Sequence, residues 1–377
     1  MKWIIPTVLG AVLLDVYFRF LKFFLPLHLS LEAVPFPFTI LAFISLFYLF
    51  FVRWLSDEST VSRWDIRTEK AGHLAMGYVS FLLVYLAIRD VSLLFLSTSA
   101  SESLHTSQAN FLIFLLAIAS LLLGFLIARS GPVVRKVSVA IDSPVRFSKP
   151  LRIIQVSDLH VGSWIGKSYV EDVAKKIRSI GEIDLLILTG DIGDGDPGFH
   201  REALESFKSL SAARGKFSVT GNHEGYWSES EWNRVIEGLG FKILSNESAV
   251  ALSADKDVEI RIAGIADARP DIQNAIRNLS PESLNILLAH QPKHADLAAK
   301  SVSESGAKVH LQLSGHTHNG QFFPWNLVIG FFQKYPRGLY AVDGMKLYVN
   351  VGTGFWGAPI RLGTRSEITL IELNSSA

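Results

Sequence analysis

The pattern of hydrophobic residues divides the 377-residue chain into an apolar N-terminal part and a mixed remainder that begins near Gly131. In the first part, three uncharged runs, residues 34–52, 71–88 and 111–128, are each long enough to cross a hydrocarbon core about 30 Å thick. Buried helices of soluble proteins are seldom so uniformly apolar. The three runs therefore predict membrane-spanning helices.

An additional candidate at the N-terminus is interrupted by charge. Residues 3–14 are apolar, but Asp15, Arg19 and Lys22 follow at intervals that place them on one face of a helix. Such a helix can still span if the charged face meets other helices or if the long side chains reach the headgroups. A cleaved signal peptide is the alternative, although no clear small-x-small cleavage site follows. The prediction is a four-helix transmembrane region over residues 1–130.

The distribution of basic residues predicts an orientation. Residues 97–110, between the third and fourth spans, contain no Lys or Arg, whereas basic residues flank the other ends of these spans: Arg53, Arg63, Arg67, Lys70, Arg129, Arg135 and Lys136. Cytoplasmic loops carry an excess of Lys and Arg, so both termini are predicted to be cytoplasmic, although Arg19 and Lys22 argue mildly the other way. The expected protein is a multi-pass protein of the cell membrane whose C-terminal domain is cytoplasmic.

Beyond Gly131, short runs rich in Ile, Leu and Val alternate with amphipathic stretches. Buried strands are predicted at residues 151–157, 184–190, 216–221, 259–265, 285–291, 308–314, 345–352 and 367–373. Helical spacing is present at residues 168–180, 201–210 and 228–239. This alternation predicts a layered α/β fold with helices outside the strands. Residues 131–150 are expected to form a linker with a strand leading into the domain at residues 151–377.

Charge and cysteine content exclude some classes of function. The formal net charge is +1, which gives no reason to expect nucleic acid as a partner, because nucleic-acid binders usually carry a basic face. The chain has no cysteine, so disulfides and thiolate metal sites are excluded.

Polar clusters follow five of the predicted strands. These clusters contain Asp158 and His160, then Asp191, then Asn222, His223 and Glu224, then His290, and finally His316 and His318. Each cluster alone is explained equally well by a helix cap, a turn or a buried core histidine. Ligands of open α/β sheets collect at the carboxyl ends of strands, so five clusters in a row favour one shared site.

The ordered blocks resemble the signature of the calcineurin-like metallophosphoesterase superfamily. That signature is D-x-H, G-D, G-N-H-[DE], a single His and G-H-x-H, and the chain contains Asp158-Leu159-His160, Gly190-Asp191, Gly221-Asn222-His223-Glu224, His290 and Gly315-His316-Thr317-His318. The resemblance extends from about residue 151 to the C-terminus. Residues 335–340 and 351–368 are similar to a bacterial membrane-linked branch of the superfamily.

The resemblance implies an αββα sandwich that holds two divalent metal ions. The first ion is expected to be bound by Asp158, His160, Asp191 and His318. The second is expected to be bound by Asp191, Asn222, His290 and His316, with Asp191 bridging the two. A carboxylate can join two cations about 3.5–4 Å apart. Four imidazoles among the ligands favour Mn, Fe or Zn over Mg, which prefers oxygen and water.

The resemblance also implies a mechanism. A hydroxide that bridges the two ions attacks phosphorus in line, and His223 and Asp191 are the residues assigned to catalysis. His223 corresponds to the family's non-ligand histidine, which stabilises the transition state or protonates the leaving oxygen. An acidic neighbour often orients that histidine, and Glu224 is the nearest candidate in the sequence.

The motif does not separate monoesters, diesters and pyrophosphates. A four-span anchor places the site near a bilayer, so a phosphorylated lipid or nucleotide-lipid is the expected substrate. Three further residues, Trp356, Arg361 and Arg365, either line a lipid or phosphate pocket or are structural and solvated. Two other functions stay open: a metal-binding module without turnover, and a transport-related membrane bundle with a regulatory hydrolase domain.

Overall fold

The computed structural model describes residues 63–95, 107–145, 149–251 and 259–375. The described residues divide into two compact units, one that contains residues 63–95, 107–126 and 357–360 and another that contains the described residues from 127 to 356 and from 361 to 375.

Two long helices are described in the N-terminal part, α1 (Arg63–Leu93) and α2 (Ser107–Arg129). Within them, Glu69–Ser92 and Phe111–Arg129 are long and apolar enough to cross a membrane. The predicted third and fourth spans therefore lie in helices. The predicted first span, which begins with the apolar residues 3–14, and the second, at residues 34–52, lie outside the described residues, so the four-helix region stays a prediction.

The second unit is built on two six-stranded mixed sheets and a two-stranded one. The strands of the described residues are β1 (Val133–Ile141), β2 (Leu151–Val156), β3 (Val161–Gly162), β4 (Leu185–Thr189), β5 (Gly193–Asp194), β6 (Gly215–Val219), β7 (Lys242–Ile243), β8 (Glu247–Val250), β9 (Ile260–Gly264), β10 (Leu284–Leu288), β11 (Leu311–Ser314), β12 (Gly338–Val342), β13 (Met345–Val349) and β14 (Glu367–Ser375). The first sheet has the order β1-β14-β2-β4-β6-β7, and the second has the order β12-β13-β11-β10-β9-β8. The small sheet pairs β3 with β5.

Helices follow most of the parallel strands of this unit. They are α3 (Lys167–Ser179), α4 (Pro197–His200), α5 (Asn222–Trp227), α6 (Glu229–Gly238), α7 (Ile272–Ile276), α8 (His294–Ser305) and α9 (Trp325–Val328), with 3₁₀ turns at Arg201–Phe207, His318–Gly320 and Ile329–Phe331. The stretch predicted as a helix at residues 201–210 is therefore a 3₁₀ turn. It continues α4 and buries Ala203, Leu204 and Phe207, a common use of short 3₁₀ segments.

Alternate residues of the central strands face two different apolar layers. Ile153 of β2 and Ile187 of β4 pack with Ile286 of β10 and Leu313 of β11 between the two sheets. The neighbouring Ile154 lies in a separate layer under α3 and α6, and α7 and α8 cover the outer face of the second sheet. Each fully buried Ile or Leu contributes roughly 1.5–3 kcal/mol. The predicted α/β fold is confirmed, with helices outside two stacked sheets.

The directions of the strands bring the polar clusters to the same edge of each sheet. In the first sheet β2, β4 and β6 are parallel, and in the second β10 and β11 are parallel. Parallel neighbours end at the same edge of a sheet, where ligands of such folds bind. The five polar clusters of the sequence follow these five strands.

Candidate active site

The structure brings all of the sequence-predicted ligands to the carboxyl ends of the strands. Three groups of the described residues have donor atoms within 4.8 Å of one another; one is His160 with Asp191 and His223, and the other two consist of predicted ligands alone, namely Asp158 with His160 and His318, and Asp191 with His290 and His316. The assignment of these residues as metal ligands stays a prediction, and their convergence is a fact of the fold.

The first group, termed the β2 cluster, consists of Asp158, His160 and His318. The Nε2 atoms of His160 and His318 are 2.9 Å apart, and Nε2 of His318 is 3.3 Å from Oδ1 of Asp158. All three side chains are nearly inaccessible to solvent. Two ring nitrogens and a carboxylate oxygen therefore point at one small volume.

The second group, termed the β4 cluster, consists of Asp191, His290 and His316, with Asn222 beside it. Nε2 of His290 lies 3.1 Å from Oδ2 of Asp191, 3.2 Å from Oδ1 of Asn222 and 3.3 Å from Nδ1 of His316. The amide nitrogen of Asn222 donates to the hydroxyl of Tyr226 at 3.1 Å, which turns the amide oxygen toward the cluster.

Asp191 belongs to the β4 cluster and also faces the β2 cluster. Its Oδ2 atom is also 3.9 Å from Nε2 of His160 in the β2 cluster and 4.0 Å from Nε2 of His223. Oδ1 of Asp191 accepts the backbone N–H of His223 at 2.8 Å. The carboxylate is therefore fixed in a position from which it can serve both clusters.

The hydrogen bonding of His290 tests whether these donors fit a cation. Its Nδ1 atom is 2.8 Å from the carbonyl oxygen of Thr189, which only accepts, so Nδ1 carries a proton. In the neutral ring Nε2 is then a lone pair that faces the oxygens of Asp191 and Asn222. Burial opposes a second proton, yet the charge of Asp191 raises the pKa of His290 well above its ordinary value. Positive charge near Nε2 of His290 therefore stabilises the β4 cluster, and a divalent ion would supply that charge.

The backbone of the site is held in an unusual conformation. Five predicted ligands have left-handed φ values: 51° at Asp158, 52° at His160, 51° at Asp191, 71° at His316 and 48° at His318. Each non-glycine residue in this region costs about 1–3 kcal/mol and is typically found at functional sites.

Two glycines of the motif blocks allow close approach of the carboxylates. A Cβ on Gly221 would lie 2.2 Å from Oδ1 of Asp191, and one on Gly315 would lie 2.1 Å from Oδ2 of Asp158. Any side chain at either position would displace a carboxylate. This explains physically why glycine precedes Asn222 and His316.

Comparison with known proteins decides the family. Residues 151–320 match the family described as Calcineurin-like phosphoesterase. A protein of Helicobacter pylori (strain ATCC 700392 / 26695), named "Uncharacterized metallophosphoesterase", is 32% identical over 314 residues, which cover 79% of this chain and 80% of that protein. The chain belongs to the calcineurin-like metallophosphoesterase family.

Eukaryotic relatives of this metallophosphoesterase have names that refer to the membrane. A protein of Bos taurus named "Transmembrane protein with metallophosphoesterase domain" is 33% identical over 269 residues, covering 67% of this chain and 60% of that protein. A Danio rerio protein of the same name is 29% identical, covering 78% of this chain and 70% of that protein. The chain thus spans 60% of the length of the bovine relative. These names and the two apolar helices indicate membrane association.

The role suggested by sequence for Glu224 of the metallophosphoesterase domain is wrong. Its carboxylate is completely buried and accepts four backbone N–H groups, those of Asp191 at 3.0 Å, Ile192 at 2.5 Å, Gly193 at 3.0 Å and Gly221 at 2.7 Å. All its hydrogen-bonding capacity is therefore used to join the loop after β4 to the start of α5. It fixes the backbone of Asp191 and does not orient His223.

Asp194 orients His223 instead. Oδ1 of Asp194 lies 2.9 Å from Nδ1 of His223 and accepts the indole N–H of Trp227 at 3.3 Å. Burial lowers the pKa of His223, but the hydrogen bond and charge of Asp194 outweigh it and raise the pKa to about 9. The sequence did contain a signal for Asp194, which is the second aspartate of the stretch TGDIGDG that also contains Asp191.

Replacing Asp194 with asparagine is expected to lower kcat of the metallophosphoesterase by about 10²-fold, the lower end of what a positioned acid contributes. The amide keeps the shape but removes the charge that keeps His223 protonated. Steady-state kinetics beside metal analysis would check this, with Asp196→Asn as the control, since that residue caps α4. Because Oδ2 of Asp194 also lies 3.4 Å from Nδ1 of His160, kcat is compared at equal metal content, and an unchanged kcat would contradict the assignment.

The structure places Trp356, Arg361 and Arg365 in different surroundings. Arg361 is fully buried and touches the β2 cluster, with Nη2 3.0 Å from Nδ1 of His318 and Nη1 donating to the His318 carbonyl at 3.2 Å. Burial lowers its pKa to about 10. Arg365 is exposed and donates to Ser130. Trp356 is 48% exposed, and its ring lies 6.2 Å from that of His223. Only Arg361 and Trp356 therefore lie at the site.

Proposed function

We propose that the chain is a membrane-anchored two-metal phosphoesterase that hydrolyses a phosphoester or pyrophosphate bond of a lipid or lipid-linked substrate. The observation that carries this proposal is the position of Asp191, whose Oδ2 atom lies 3.1 Å from His290 and 3.9 Å from His160. A carboxylate shared by two donor clusters is what a pair of ions 3.5–4 Å apart requires.

The residues divide into two ligand sets in this proposal. Asp158, His160 and His318 would hold one divalent ion with Asp191, and His290, His316 and Asn222 would hold the other with Asp191. When bound, the pair supplies charge stabilisation at the phosphoryl oxygens and lowers the pKa of a water molecule toward neutrality. Imidazole ligands favour Mn, Fe or Zn.

His223 is the proton donor in this proposal. The hydrogen bond and the charge of Asp194 raise the pKa of His223 and so favour the protonated ring. Asp194 holds Nδ1, which leaves Nε2 facing the gap beside Asp191 at 4.0 Å. A proton placed there can pass to the leaving oxygen of an ester whose phosphorus lies over the two clusters.

A lipid substrate is supported by where the chain resides. The apolar helices and the names of the relatives associate the site with a bilayer, in which phosphorylated lipids are the abundant esters. The aromatic side chains of Tyr226, Trp227 and Trp356 are each 45–65% exposed beside His223 and offer apolar surface to a bulky substrate.

The proposal is tested with the full chain in detergent and added manganese, assayed on a chromogenic phosphodiester, a chromogenic monoester and a lipid pyrophosphate. Metal-dependent turnover is expected, with loss of about 10²-fold or more in His316→Gln. His310→Gln is a matched control, because His310 precedes the same strand, β11, at its opposite end, where its Nδ1 atom accepts the backbone N–H of Asn285.

Three outcomes separate the alternatives. Metal binding without turnover of any substrate would favour a binding module. Turnover of the soluble esters alone, with no hydrolysis of lipids, would overturn the substrate class and retain the reaction. Loss of cellular function on removal of residues 1–130, with hydrolysis intact, would favour a membrane bundle that the hydrolase regulates.

A further inference from the structure

An exposed apolar segment follows the site directly. Residues 322–333 read FFPWNLVIGFFQ and contain α9 and the 3₁₀ turn Ile329–Phe331. Leu327 is 66% exposed, Phe331 87% and Phe332 77%, so three large apolar side chains lie close together in solvent. Isolated exposed apolar residues are common on proteins, but a run of them marks a site of interaction. We term residues 323–332 the apolar loop.

The apolar loop is anchored at its base. The backbone N–H of Phe323 donates to the carbonyl of Leu362 at 2.8 Å, and the amide of Asn326 donates to the carbonyl of Gly363 at 3.3 Å. Gly320 has a φ of 70°, and a Cβ there would lie 2.5 Å from the carbonyl of Trp325. The polar groups thus face the domain, and the exposure of the apolar side chains is a built feature.

The loop is also continuous with the catalytic residues. It begins five residues after His318, and the intervening Gln321 brackets the backbone of Trp356, donating to its carbonyl at 2.9 Å and accepting its N–H at 3.0 Å. The ring of Trp356 in turn lies 6.2 Å from His223. A surface that the loop touches is therefore next to the mouth of the site.

The chemistry of the loop fits a bilayer interface. Phe and Leu side chains enter the boundary between headgroups and acyl chains, and cationic side chains beside them meet anionic headgroups. Arg337 and Lys334 follow the loop, both exposed, although Lys334 is also 2.8 Å from Asp296. The chain is associated with a membrane through its apolar helices, so a bilayer is present at high effective concentration.

We propose that the apolar loop inserts into the bilayer interface and presents the mouth of the site to lipid headgroups. Insertion itself depends only on the exposed side chains. The conclusion that it delivers lipid substrates rests on the proposed function. A second copy of the chain is the competing occupant, and energy transfer between labelled copies would reveal it.

The chain contains no cysteine, so a single introduced cysteine can be labelled without background. Full-length Phe331→Cys would carry an environment-sensitive fluorophore in nanodiscs of phosphatidylcholine and phosphatidylglycerol. Val250→Cys is the matched control, since it is 51% exposed on β8, at the opposite edge of the second sheet from β12. Doxyl-labelled lipids are expected to remove about half or more of the Phe331 emission and little of the Val250 emission.

Equal quenching at the two positions, or none at either, would overturn the proposal. Emission that depends on protein concentration in detergent, with energy transfer between labelled copies, would also overturn it in favour of self-association. This readout needs no catalysis, so it stands even if the proposed function fails. Given activity, replacing Leu327, Phe331 and Phe332 with serine is expected to raise KM about 10-fold for a lipid in nanodiscs, and to leave kcat/KM for a soluble ester unchanged.

Discussion

Replacing Asp191 with asparagine is expected to lower turnover of a phosphoester by about 10³-fold or more, which corresponds to about 4 kcal/mol of transition-state stabilisation. An amide is neutral, and its NH₂ group takes the position of Oδ2, the atom that faces both clusters, because its oxygen stays with the backbone N–H of His223. Its nitrogen would face His290, whose Nε2 atom lies 3.1 Å from Oδ2. Metal analysis by mass spectrometry, beside steady-state kinetics, is expected to show two ions per wild-type chain and fewer in the variant.

The matched control is Asp184→Asn. Asp184 precedes β4 and Asp191 follows it, so the two aspartates lie at opposite ends of one strand. Asp184 accepts the N–H of Arg152 at 2.8 Å and pairs with Arg214 at 3.3 Å, far from any predicted ligand. Its variant should retain wild-type metal content and turnover. Two ions bound to an active Asp191→Asn protein would refute the bridging role.

Replacing Glu224 with alanine is expected to cost about 4 kcal/mol or more of stability, because four buried N–H groups lose their acceptor. For a domain of this size, such a loss lowers the Tm by about 10 °C. Thermal unfolding of the purified protein, followed by circular dichroism in a fixed detergent and metal concentration, measures the effect. Glutamine restores one acceptor but places an NH₂ group against another N–H, so an intermediate Tm is expected for Glu224→Gln.

Glu237→Ala is the comparison for the Glu224 variants, since Glu237 is exposed on α6. Its Tm should match that of the wild type within about 1 °C, as is usual for surface substitutions. A Glu224→Ala protein that unfolds at the wild-type temperature but has lost activity would show that Glu224 acts on the chemistry and not on the backbone.

The central strands were predictable because each is a short run of β-branched and aliphatic residues buried on both faces. β2, β4, β9 and β10 all fall within the ranges expected or extend them by one residue. α8 (His294–Ser305) was not predicted. Its buried face consists of His294 and three alanines, Ala295, Ala298 and Ala299, which give a weak hydrophobic pattern. Small residues pack well against a sheet, yet leave little periodic signal.

The residues of the site also divide into those that could be predicted from the sequence and those that could not. The aspartates, the asparagine and the histidines of the motif blocks could be found from sequence, because each directly follows a predicted strand. The acceptors that hold them could not be assigned in the same way. Asp194 reaches His223 across 29 positions, and Glu224 reaches the backbone of Gly193 across 31. Adjacency in sequence suggested Glu224 for His223, but neighbouring side chains on a helix point in different directions.

The two clusters draw their residues from both sheets, and this has a mechanical consequence. Asp158 follows β2 in the first sheet and His318 follows β11 in the second; likewise Asp191 follows β4, and His290 follows β10. An ion held by either cluster would add a cross-link between the two layers, which already meet through apolar contacts and through hydrogen bonds such as that from the Gln155 side chain to the carbonyl of Ser314 at 2.9 Å. Anything that binds the folded chain alone stabilises it according to its free concentration. The concentration of metal in the cell would then affect the stability of the folded domain as well as its rate of turnover.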